Sequence, residues 1–403
     1  MSKEDIAHDG REPVDGQMGG SGYLVTPQSD AEPEMSVVMP TLNEEEGIVE
    51  CVRRIRTAIE ALEIYTEIVV SDSSTDRTPT IARSLGARVV TPDQYGYGYA
   101  YRYAFDRTRG EYIVMGDADT TYDFESIPRL LEPVRNGDAD ICMGSRLKGT
   151  IEKGSMPTLH KHIGNPLLTK FLNSFYGAGV SDAHSGFRVF SREALETLDL
   201  RSNGMEFASE MIMEAGAKGL EIAEVPIVYH EREGEETLES FRDGWRHVRF
   251  MLVNAPDYLF AYPAIGAVTA GVVLIALSLV GITLGSVTFG LGTLMSGVVA
   301  TLVGYQILAL ALFSSIAGDP IQNTDNRLIE NVRHRFQLEQ VLLGGIIVAG
   351  LGLAWFGHVM GQSDAIETVG SSTIGALLLA STVVVIGLQT VFNSFFLTLI
   401  DRQ

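Results

Sequence analysis

Four long apolar segments in the last third of the chain constrain its fold more than any other feature. They lie at residues 259–284, 289–317, 341–360 and 374–400. Each is apolar for about 20 residues or more, the length that an α-helix needs to cross a bilayer core of roughly 30 Å. The sequence therefore predicts a membrane domain with four spanning helices over residues 257–403.

The basic residues between these segments predict their orientation. The connection between the second and third segments carries Arg327, Arg333 and Arg335, whereas the other two connections contain no Lys or Arg. Because Lys and Arg are enriched in cytoplasmic loops, we expect this connection, the C-terminus and the large N-terminal domain in the cytosol.

Three polar side chains, Gln306, Gln389 and Asn393, interrupt the apolar segments. No segment centre carries an acid or a base, so these amides are predicted to bond neighbouring helices rather than to line a transport path. The same helices also leave open a homo-oligomer formed within the membrane.

Composition excludes one class of partner. The formal net charge of -21 would repel nucleic-acid phosphates. Acidic side chains dominate, and only six residues are Lys against twenty-four Arg, which is typical of a surface adapted to high salt, as in a halophile.

Residues 1–34 are acidic and lack apolar periodicity, so a disordered tail is expected there. Cys51 and Cys142 fall in apolar segments and are predicted to be buried thiols in a reducing compartment.

Between residues 35 and 238, short apolar runs alternate with helical periodicity. Residues 35–40 and 68–70 are predicted as buried strands, and the helix between them begins near Asn43, a candidate N-cap. This alternation predicts an α/β domain with a doubly wound, mostly parallel sheet.

The central stretch of that domain is Glu-Tyr-Ile-Val-Met-Gly-Asp-Ala-Asp at residues 111–119. Its apolar run is predicted to be a buried strand, and Gly116 allows a sharp turn that places Asp117 and Asp119 just beyond the strand's carboxyl end. Ligands of open parallel sheets bind at that edge, and two hard oxygen donors suit Mg²⁺ or Mn²⁺ carrying a diphosphate.

Two further turns fall at the same predicted edge. Asp72 and Asp76 follow the second strand, where their carboxylates can accept hydrogen bonds from a ribose or a base; the alternative is that they only cap and shape the turn. Gly96 and Gly98 precede a helix, where backbone amides can approach a phosphate.

Seven short motifs follow one another in a fixed order. They are Pro-Thr-Leu-Asn-Glu at 40–44, Ser-Asp-Ser-Ser-Thr-Asp at 71–76, Gly-Tyr-Gly at 96–98, Asp-Ala-Asp at 117–119, Gly-Ser-Arg at 144–146, Ser-Gly-Phe-Arg at 185–188 and Glu-Val-Pro-Ile at 224–227. This order, over residues 35–255, resembles the family 2 glycosyltransferases of GT-A fold, and among them the dolichyl- and polyprenyl-phosphate sugar synthases.

The resemblance implies an inverting hexosyltransferase that moves mannose or glucose from a nucleotide-sugar to dolichyl or another polyprenyl phosphate on the cytosolic face, for glycan or glycoprotein assembly. The implied nucleotide-binding residues are Pro40, Thr41, Glu44, Asp72, Asp76, Gly98 and Asp117. Asp117 and Asp119 would hold the Mg²⁺ or Mn²⁺ ion and, with Arg188, would be catalytic. Arg146, Ser185 and Arg188 would lie toward the lipid phosphate.

This sequence departs from the family pattern at three places. Thr121 replaces a Gln that is a metal ligand in some relatives, Tyr97 replaces a common Lys, and residues 236–238 are Glu-Thr-Leu rather than Ser-Lys-Leu. The last two changes remove basic groups from loops that contact phosphate.

Residues 239–256 are predicted to form an amphipathic helix in the membrane interface, with Trp245 among its apolar residues and Arg246 among its basic ones. The alternative is a helix packed on the catalytic domain. In the interface, it would hold the pocket where a lipid phosphate reaches Arg146, Arg188 and Arg232, whose guanidinium groups suit phosphate oxygens.

Three other functions remain open at this point. A non-catalytic sugar-nucleotide binding module would keep the base-binding carboxylates but not the metal pair. A translocator would need charged groups in the spans. A processive polysaccharide synthase would be expected to show a Gln-x-x-Arg-Trp motif, which this sequence lacks.

Overall fold

A computed structural model describes residues 22–232, 240–281, 283–284, 287–317, 321, 338–362 and 370–400. The chain divides into two compact units. The first comprises Met1–Met156, Gly186–Leu195 and Ala223–Glu235, and the second comprises Pro157–Ser185, Glu196–Ile222 and Glu236–Gln403.

The first unit is built on a seven-stranded sheet. Its strands are β1 (Met35–Thr41), β2 (Thr66–Asp72), β3 (Arg88–Val90), β4 (Tyr112–Met115), β5 (Ile141–Ile151), β6 (Arg188–Ser191) and β7 (Ile222–Tyr229). Their order across the sheet is β3-β2-β1-β4-β6-β5-β7. The first four strands pair in parallel, and β6 runs antiparallel to both β4 and β5. The predicted α/β class with a mostly parallel sheet is confirmed.

Four helices follow the strands of this unit: α1 (Ile48–Leu62), α2 (Thr78–Ser84), α3 (Tyr97–Phe105) and α4 (Ile127–Arg135). In α1 the buried residues recur every three or four positions, as in Ile48, Cys51, Ile55 and Ile59, because one face of the helix packs on the sheet. They join the fully buried strand residues of β1, β2 and β4 in one apolar core.

Strand register determines where the predicted site residues lie. Thr41, the last residue of β1, pairs with Asp72, the last residue of β2. Val38 of β1 pairs with Met115, the last residue of β4. The carboxyl ends of these three parallel strands therefore share one edge of the sheet.

The second unit is helical. It contains α5 (Asn165–Tyr176), preceded by a π-helical turn at His160–Gly164, then α7 (Phe207–Ala217) and α8 (Ser240–Val253). The short α6 (Arg192–Thr197) joins the units along the chain. Within the unit, the Tyr176 hydroxyl donates a 3.0 Å hydrogen bond to the Met251 carbonyl, which ties α5 to α8.

Four long apolar helices complete the second unit: α9 (Tyr262–Val280), α10 (Leu291–Ala317), α11 (Leu338–Gly361) and α12 (Ser371–Ile400). A two-stranded ribbon of β8 (Thr283–Leu284) and β9 (Val287–Thr288) connects the first two. All four helices are long and apolar enough to cross a membrane, as predicted.

The spanning helices approach closely where glycines meet. A Cβ atom placed on Gly271 would lie 2.7 Å from the Gly297 carbonyl oxygen, so α9 and α10 can cross at this distance only without a side chain there. Gln389 donates a 3.2 Å hydrogen bond to Gln306, which confirms the predicted interhelical role of these two amides.

Several local predictions need correction. Residues 22–34 do not all belong to a disordered tail, because Leu24 bridges Thr66 and the Val25 side chain is buried. Asn43 is not the N-cap of α1, which begins after Gly47; it has a φ of 60° and bonds the next loop instead. The Gly and Pro content of residues 148–157 predicts a loop, but strand β5 continues into this stretch as far as Ile151.

Three features singled out from the sequence lie wholly or partly outside the described residues. These are the tail at residues 1–21, the Glu-Thr-Leu at residues 236–238 and the arginines at 327, 333 and 335. Residues 157–185, which contain α5, belong to the second compact unit, and the predicted catalytic domain over residues 35–238 remains a prediction.

Candidate active site

Two loops at the carboxyl edge of the sheet hold each other through side-chain bonds to backbone amides. One follows β1 (residues 42–46) and the other follows β2 (residues 73–78). Ser74 Oγ accepts from the Asn43 amide at 2.8 Å, and Thr78 Oγ1 accepts from the Glu44 amide at 3.0 Å. Asn43 Oδ1 in turn accepts from the Thr75 amide at 2.9 Å. Neither loop depends on a ligand for these bonds, so this part of the pocket is preorganised.

The predicted nucleotide residues Thr41, Asp72 and Asp76 belong to this arrangement. Thr41 Oγ1 donates a 2.8 Å hydrogen bond to Asp72 Oδ1, and both side chains are buried. Asp76 accepts from the Thr78 amide at 2.9 Å and from the Glu45 amide at 3.3 Å. Burial acts to raise the pKa of Asp76, but hydrogen bonds from the Thr78 side chain and from the Thr78 and Glu45 amides lower it overall. Asp76 therefore shapes the turn, and its role in binding a nucleotide remains a prediction.

The loop that follows β4 carries Asp117 and Asp119, and two local features set its path. Gly47 at the start of α1 lies so close that a Cβ atom there would be 2.6 Å from the Ala118 carbonyl oxygen. Thr120 has a φ of 65°, a left-handed conformation that a β-branched side chain disfavours. The strained residue directly follows Asp119, where it fixes the direction in which the chain leaves the two carboxylates.

Asp117 is held by two tyrosine hydroxyls on α3. Tyr97 donates to its Oδ1 at 2.9 Å and Tyr101 donates to the same oxygen at 3.2 Å. Burial, followed by repulsion from Asp119, raises the pKa of Asp117 to about 7, although the two tyrosine hydroxyls act to lower it. The two hydrogen bonds to Oδ1 therefore fix the orientation of the Asp117 carboxylate.

Asp119 is oriented by Thr121, the residue that replaces the expected Gln. The Thr121 hydroxyl donates to Asp119 Oδ1 at 2.6 Å, and its amide approaches the same oxygen at 3.2 Å. The departure from the family pattern therefore produces a positioning contact. Oδ2 of Asp119 is turned toward Arg232, whose Nη1 lies 3.8 Å away.

Arg232 forms an ion pair with Glu44 across the site. Its Nη2 lies 2.9 Å from Glu44 Oε1, while its buried Nε has no hydrogen-bond partner. Burial raises the pKa of Glu44 to about 7; Asp119 and Asp117 raise it as well, and Arg232 lowers it. The guanidinium group is the positive charge that faces this group of carboxylates.

The predicted acceptor residue Arg146 lies on β5, with its guanidinium carbon 5.2 Å from the centre of the Tyr229 ring. Tyr229 also contacts Tyr122 ring to ring, and the Tyr122 hydroxyl accepts a 2.7 Å hydrogen bond from the Gly186 amide. Arg146 is 7% exposed. It is therefore a desolvated cation on an aromatic support.

Arg188 and Ser185 are buried, whereas residues that contact a lipid phosphate would be expected to be accessible. Arg188, the first residue of β6, is fully buried. Ser185 is also buried and belongs to the second unit, where its amide donates to the Asp182 carbonyl at 3.3 Å. Their assignment to the acceptor phosphate remains a prediction.

The remaining nucleotide candidates are Pro40 and Gly98. Pro40 is the penultimate residue of β1, and Gly98 is buried in the first turn of α3. The structure joins α3 to the site through Tyr97 and Tyr101 rather than through a glycine loop alone.

Sequence reasoning missed three residues that shape the pocket: Tyr101, Tyr122 and Gly186. A Cβ atom on Gly186 would lie 3.1 Å from the Tyr97 hydroxyl and 3.2 Å from Asp117 Oδ2, so this glycine lets the chain pass over the carboxylate. The tyrosine spacing of four residues between Tyr97 and Tyr101 was a usable signal, because such residues share a helix face.

The side chains of the site can supply part of the coordination shell of a divalent cation. Among the residues that the structure describes, no group of three or more His, Cys, Asp or Glu could hold a metal by itself. Asp119 Oδ2 and the second oxygen of Asp117 are hard donors of the kind that Mg²⁺ uses when substrate phosphates and water complete its shell. The residues therefore suit a cation that arrives with a diphosphate.

Comparison with known proteins gives matches over both units. Residues 36–199 match the model of glycosyl transferase family 2, and residues 319–401 match the C-terminal transmembrane region of family 2 glycosyltransferases.

Individual proteins are also similar. The low-salt glycan biosynthesis hexosyltransferase Agl6 of Haloferax volcanii is 54% identical over 394 residues, which cover 97% of this chain and 95% of that protein. A dolichyl-phosphate hexose transferase of the same organism is 35% identical over 52% of this chain and 89% of its own length. The crystal structure of glucosyl-3-phosphoglycerate synthase from Mycobacterium tuberculosis, with Mn²⁺ and uridine diphosphate bound, is 25% identical with a TM-score of 0.45, over 55% of this chain and 80% of that one.

Proposed function

The chain belongs to glycosyltransferase family 2, and on that premise we propose that it transfers a hexose from a nucleotide-sugar to a polyprenyl phosphate of the dolichyl type. It is a membrane protein, since four of its helices can span a bilayer and a transmembrane family region covers its C-terminal part. The names of two relatives, a hexosyltransferase of glycan biosynthesis and a dolichyl-phosphate hexose transferase, support this choice of reaction.

One geometric observation supports the proposal most directly. Three carboxylates, on Glu44, Asp117 and Asp119, meet one guanidinium group, on Arg232, at the carboxyl edge of a parallel sheet. A nucleoside diphosphate with a bound cation matches this set of charges. The carboxylates can bind the cation, and the guanidinium group can bind the phosphate oxygens.

Asp119 would hold a Mg²⁺ or Mn²⁺ ion through Oδ2, with Asp117 as the second ligand. When bound, the ion supplies positive charge that stabilises the departing nucleoside diphosphate. Thr121 keeps Asp119 in one rotamer through its 2.6 Å hydrogen bond. Tyr97 and Tyr101 hold Asp117 in the same manner.

The acceptor phosphate would be met by Arg146. A phosphate monoester has a second pKa of about 6, so its oxygens are already nucleophilic near neutral pH and need no strong general base. Glu210, a carboxylate that a base mechanism could invoke, accepts hydrogen bonds from the backbone amides of Arg201 and Ser202. Those bonds support a structural role for Glu210.

We further propose that the first unit faces the cytosol. The arginines between the second and third spans favour this orientation under the positive-inside rule. Nucleotide-sugars would then reach the site from the compartment in which they are made.

The experiment is a transfer assay on membranes that contain the full chain. Each labelled nucleotide-sugar is added with dolichyl phosphate, and label is measured in the lipid phase. We expect one hexose to enter the lipid phase only when dolichyl phosphate is present. Membranes with Asp119→Ala serve as the matched control and should give no more than background.

Two outcomes would contradict the proposal. Nucleotide binding without transfer of any hexose would indicate the non-catalytic binding module. Label that accumulates in a water-soluble polymer would indicate the polysaccharide synthase.

A further inference from the structure

The segment that follows the two aspartates, residues 120–122, is bonded on one side to the sheet. The Tyr122 backbone forms an antiparallel bridge with Tyr229 of β7, and the His230 amide donates a 2.9 Å hydrogen bond to the Thr121 carbonyl. Thr121 is also the residue whose hydroxyl holds Asp119 Oδ1. The path of this short segment therefore determines where the Asp119 carboxylate lies.

Arg54 of α1 bonds the same segment from the helix side. Its Nη1 donates to the Thr120 carbonyl at 3.3 Å and to the Tyr122 carbonyl at 3.4 Å. These carbonyls belong to the residues on either side of Thr121, and both residues are buried. Buried backbone carbonyls require hydrogen-bond partners, and a single guanidinium nitrogen supplies both. Thr121 is thus held between α1 and the sheet.

The Arg54 side chain is itself fixed by Glu50, one helical turn earlier. Its Nε donates a 2.8 Å hydrogen bond to Glu50 Oε1. Side chains four residues apart are neighbours on a helix, so this pair forms within α1 and needs no other element. The Arg54 side chain is 18% exposed, less than is usual for a surface ion pair. Glu50 therefore keeps the guanidinium group oriented toward the loop.

Gly47 brings α1 into direct contact with the aspartates. It lies seven positions before Arg54, so the two residues share a face of the helix. A Cβ atom on Gly47 would lie 2.6 Å from the Ala118 carbonyl oxygen and 3.6 Å from Asp119 Cα. Its φ of -89° suits any residue, so the loop and not the helix backbone requires a glycine here. This face of α1 packs on the loop that carries the candidate metal ligands.

We propose that Arg54 is a positioning residue of the transferase. By holding the carbonyls of Thr120 and Tyr122 it places the Thr121 hydroxyl, and through that hydroxyl it orients Asp119 for the cation. Arg54 acts through the backbone of the segment and not on the substrate. Its effect on the reaction rests on the proposed function, whereas its effect on the conformation of the loop does not.

The neighbouring Arg53 provides a matched control. It also bonds Glu50, through two hydrogen bonds of 2.7 Å, but its side chain is 49% exposed. Arg53→Met and Arg54→Met each remove one arginine from Glu50 and keep an apolar stem, whereas only Arg54→Met removes the bonds to the loop carbonyls.

The first measurement is hydrogen exchange by mass spectrometry on the full chain, without metal, nucleotide or lipid phosphate. Arg54→Met should accelerate amide exchange in the peptide that covers residues 116–123 by about tenfold, because the segment opens more often. Arg53→Met should exchange like the parent there. Equal exchange in the two variants would overturn the inference, whatever reaction the protein catalyses.

The second measurement is the transfer assay over a range of Mn²⁺ concentrations. Arg54→Met should raise the half-saturating Mn²⁺ concentration by about tenfold and lower turnover, with an unchanged KM for the lipid phosphate. Arg54→Lys should recover part of this loss, since an ammonium group can donate to both carbonyls. A loss of folded protein would lower the rate without moving the Mn²⁺ dependence.

The outcomes separate the two proposals. A parent-like Mn²⁺ dependence of Arg54→Met would overturn the positioning role while the proposed function stands. If the parent transfers no hexose, the proposed function fails, and the exchange rates of the peptide over residues 116–123 still decide whether Arg54 holds the loop.

Discussion

The Tyr97 hydroxyl donates a 2.9 Å hydrogen bond to Asp117 Oδ1, at the position where resembling sequences commonly carry a lysine. A lysine there would add a charge beside the diphosphate, whereas the tyrosine orients a buried carboxylate. The site thus contains one fewer cation than the family pattern predicts, and Arg232 and Arg146 are two basic groups near it.

Tyr97→Phe should reduce turnover by roughly 10-fold or more, because a hydrogen bond to a charged group contributes about 1.5 to 3 kcal/mol. Tyr101→Phe is the matched control and should cost less, since its bond to Asp117 is longer at 3.2 Å. Initial rates at saturating acceptor measure both effects. Parent-like rates for Tyr97→Phe would show that Asp117 needs no such orientation.

Asp119→Ala should lower turnover by roughly 10³-fold or more with the fold retained, because it removes the group expected to hold the cation. Thr121→Val keeps the carboxylate but removes the 2.6 Å bond that positions it, so we expect a smaller loss and a weaker apparent affinity for Mn²⁺. Rates measured over a range of Mn²⁺ concentrations distinguish the two variants. Full activity of Asp119→Ala in excess chelator would rule out the metal role.

Arg146→Ala should raise the apparent KM for the lipid phosphate by roughly 10 to 150-fold while donor affinity stays nearly unchanged. Arg232 was expected from the sequence at the lipid phosphate, but it contacts Glu44 and Asp119, so Arg232→Ala should instead weaken binding of the nucleotide with its cation. Steady-state kinetics with each substrate varied in turn measures this division. If Arg146→Ala weakens the donor instead, Arg146 belongs to the nucleotide site.

Without metal, the protein should lose stability as pH rises toward neutrality. Burial raises the pKa of Asp117 from 3.8 to about 7, so the folded state keeps a proton that the unfolded state has released. Between those values the folded state binds more protons, and the free energy of unfolding falls as pH increases. Asp117→Asn removes this titration and should give a flatter dependence. Chemical unfolding in chelator over this pH range measures both proteins, and parallel curves would contradict the assignment.

The two native thiols should resist alkylation in the folded protein. Burial raises the pKa of Cys51 and of Cys142 to about 12, and the thiolate is the reactive form. Mass spectrometry after iodoacetamide treatment near neutral pH should find neither residue modified until the protein is unfolded. Rapid labelling of native Cys51 would mean that α1 leaves the sheet.

The strands and the ligand-binding edge of the sheet could be predicted from the sequence, because apolar runs and the acidic turns after them depend on residues close together in the chain. Asp117 and Asp119 lie just beyond β4, as the run at residues 112–115 and Gly116 suggested. The antiparallel insertion of β6 between β4 and β5 was not predicted, since strand order depends on contacts distant in sequence.

The contacts that support the site could not be predicted either, because they join residues that are distant in the sequence. The Arg232 to Glu44 ion pair joins residues that are 188 positions apart. Asn43 was expected to cap a helix, but its backbone enters the left-handed region and its side chain bonds the loop after β2. Short polar residues serve in either role, and only the neighbouring loop decides between them.

The bonds between the loops after β1 and β2 have a consequence for engineering donor preference. Backbone amides of each loop donate hydrogen bonds to side chains of the other, so the conformation of each loop depends on its partner. A graft of one loop from a relative would leave amides in both without partners. Exchange of nucleotide preference should therefore succeed when residues 42–46 and 73–78 are transplanted as a matched pair, and fail when either is moved alone.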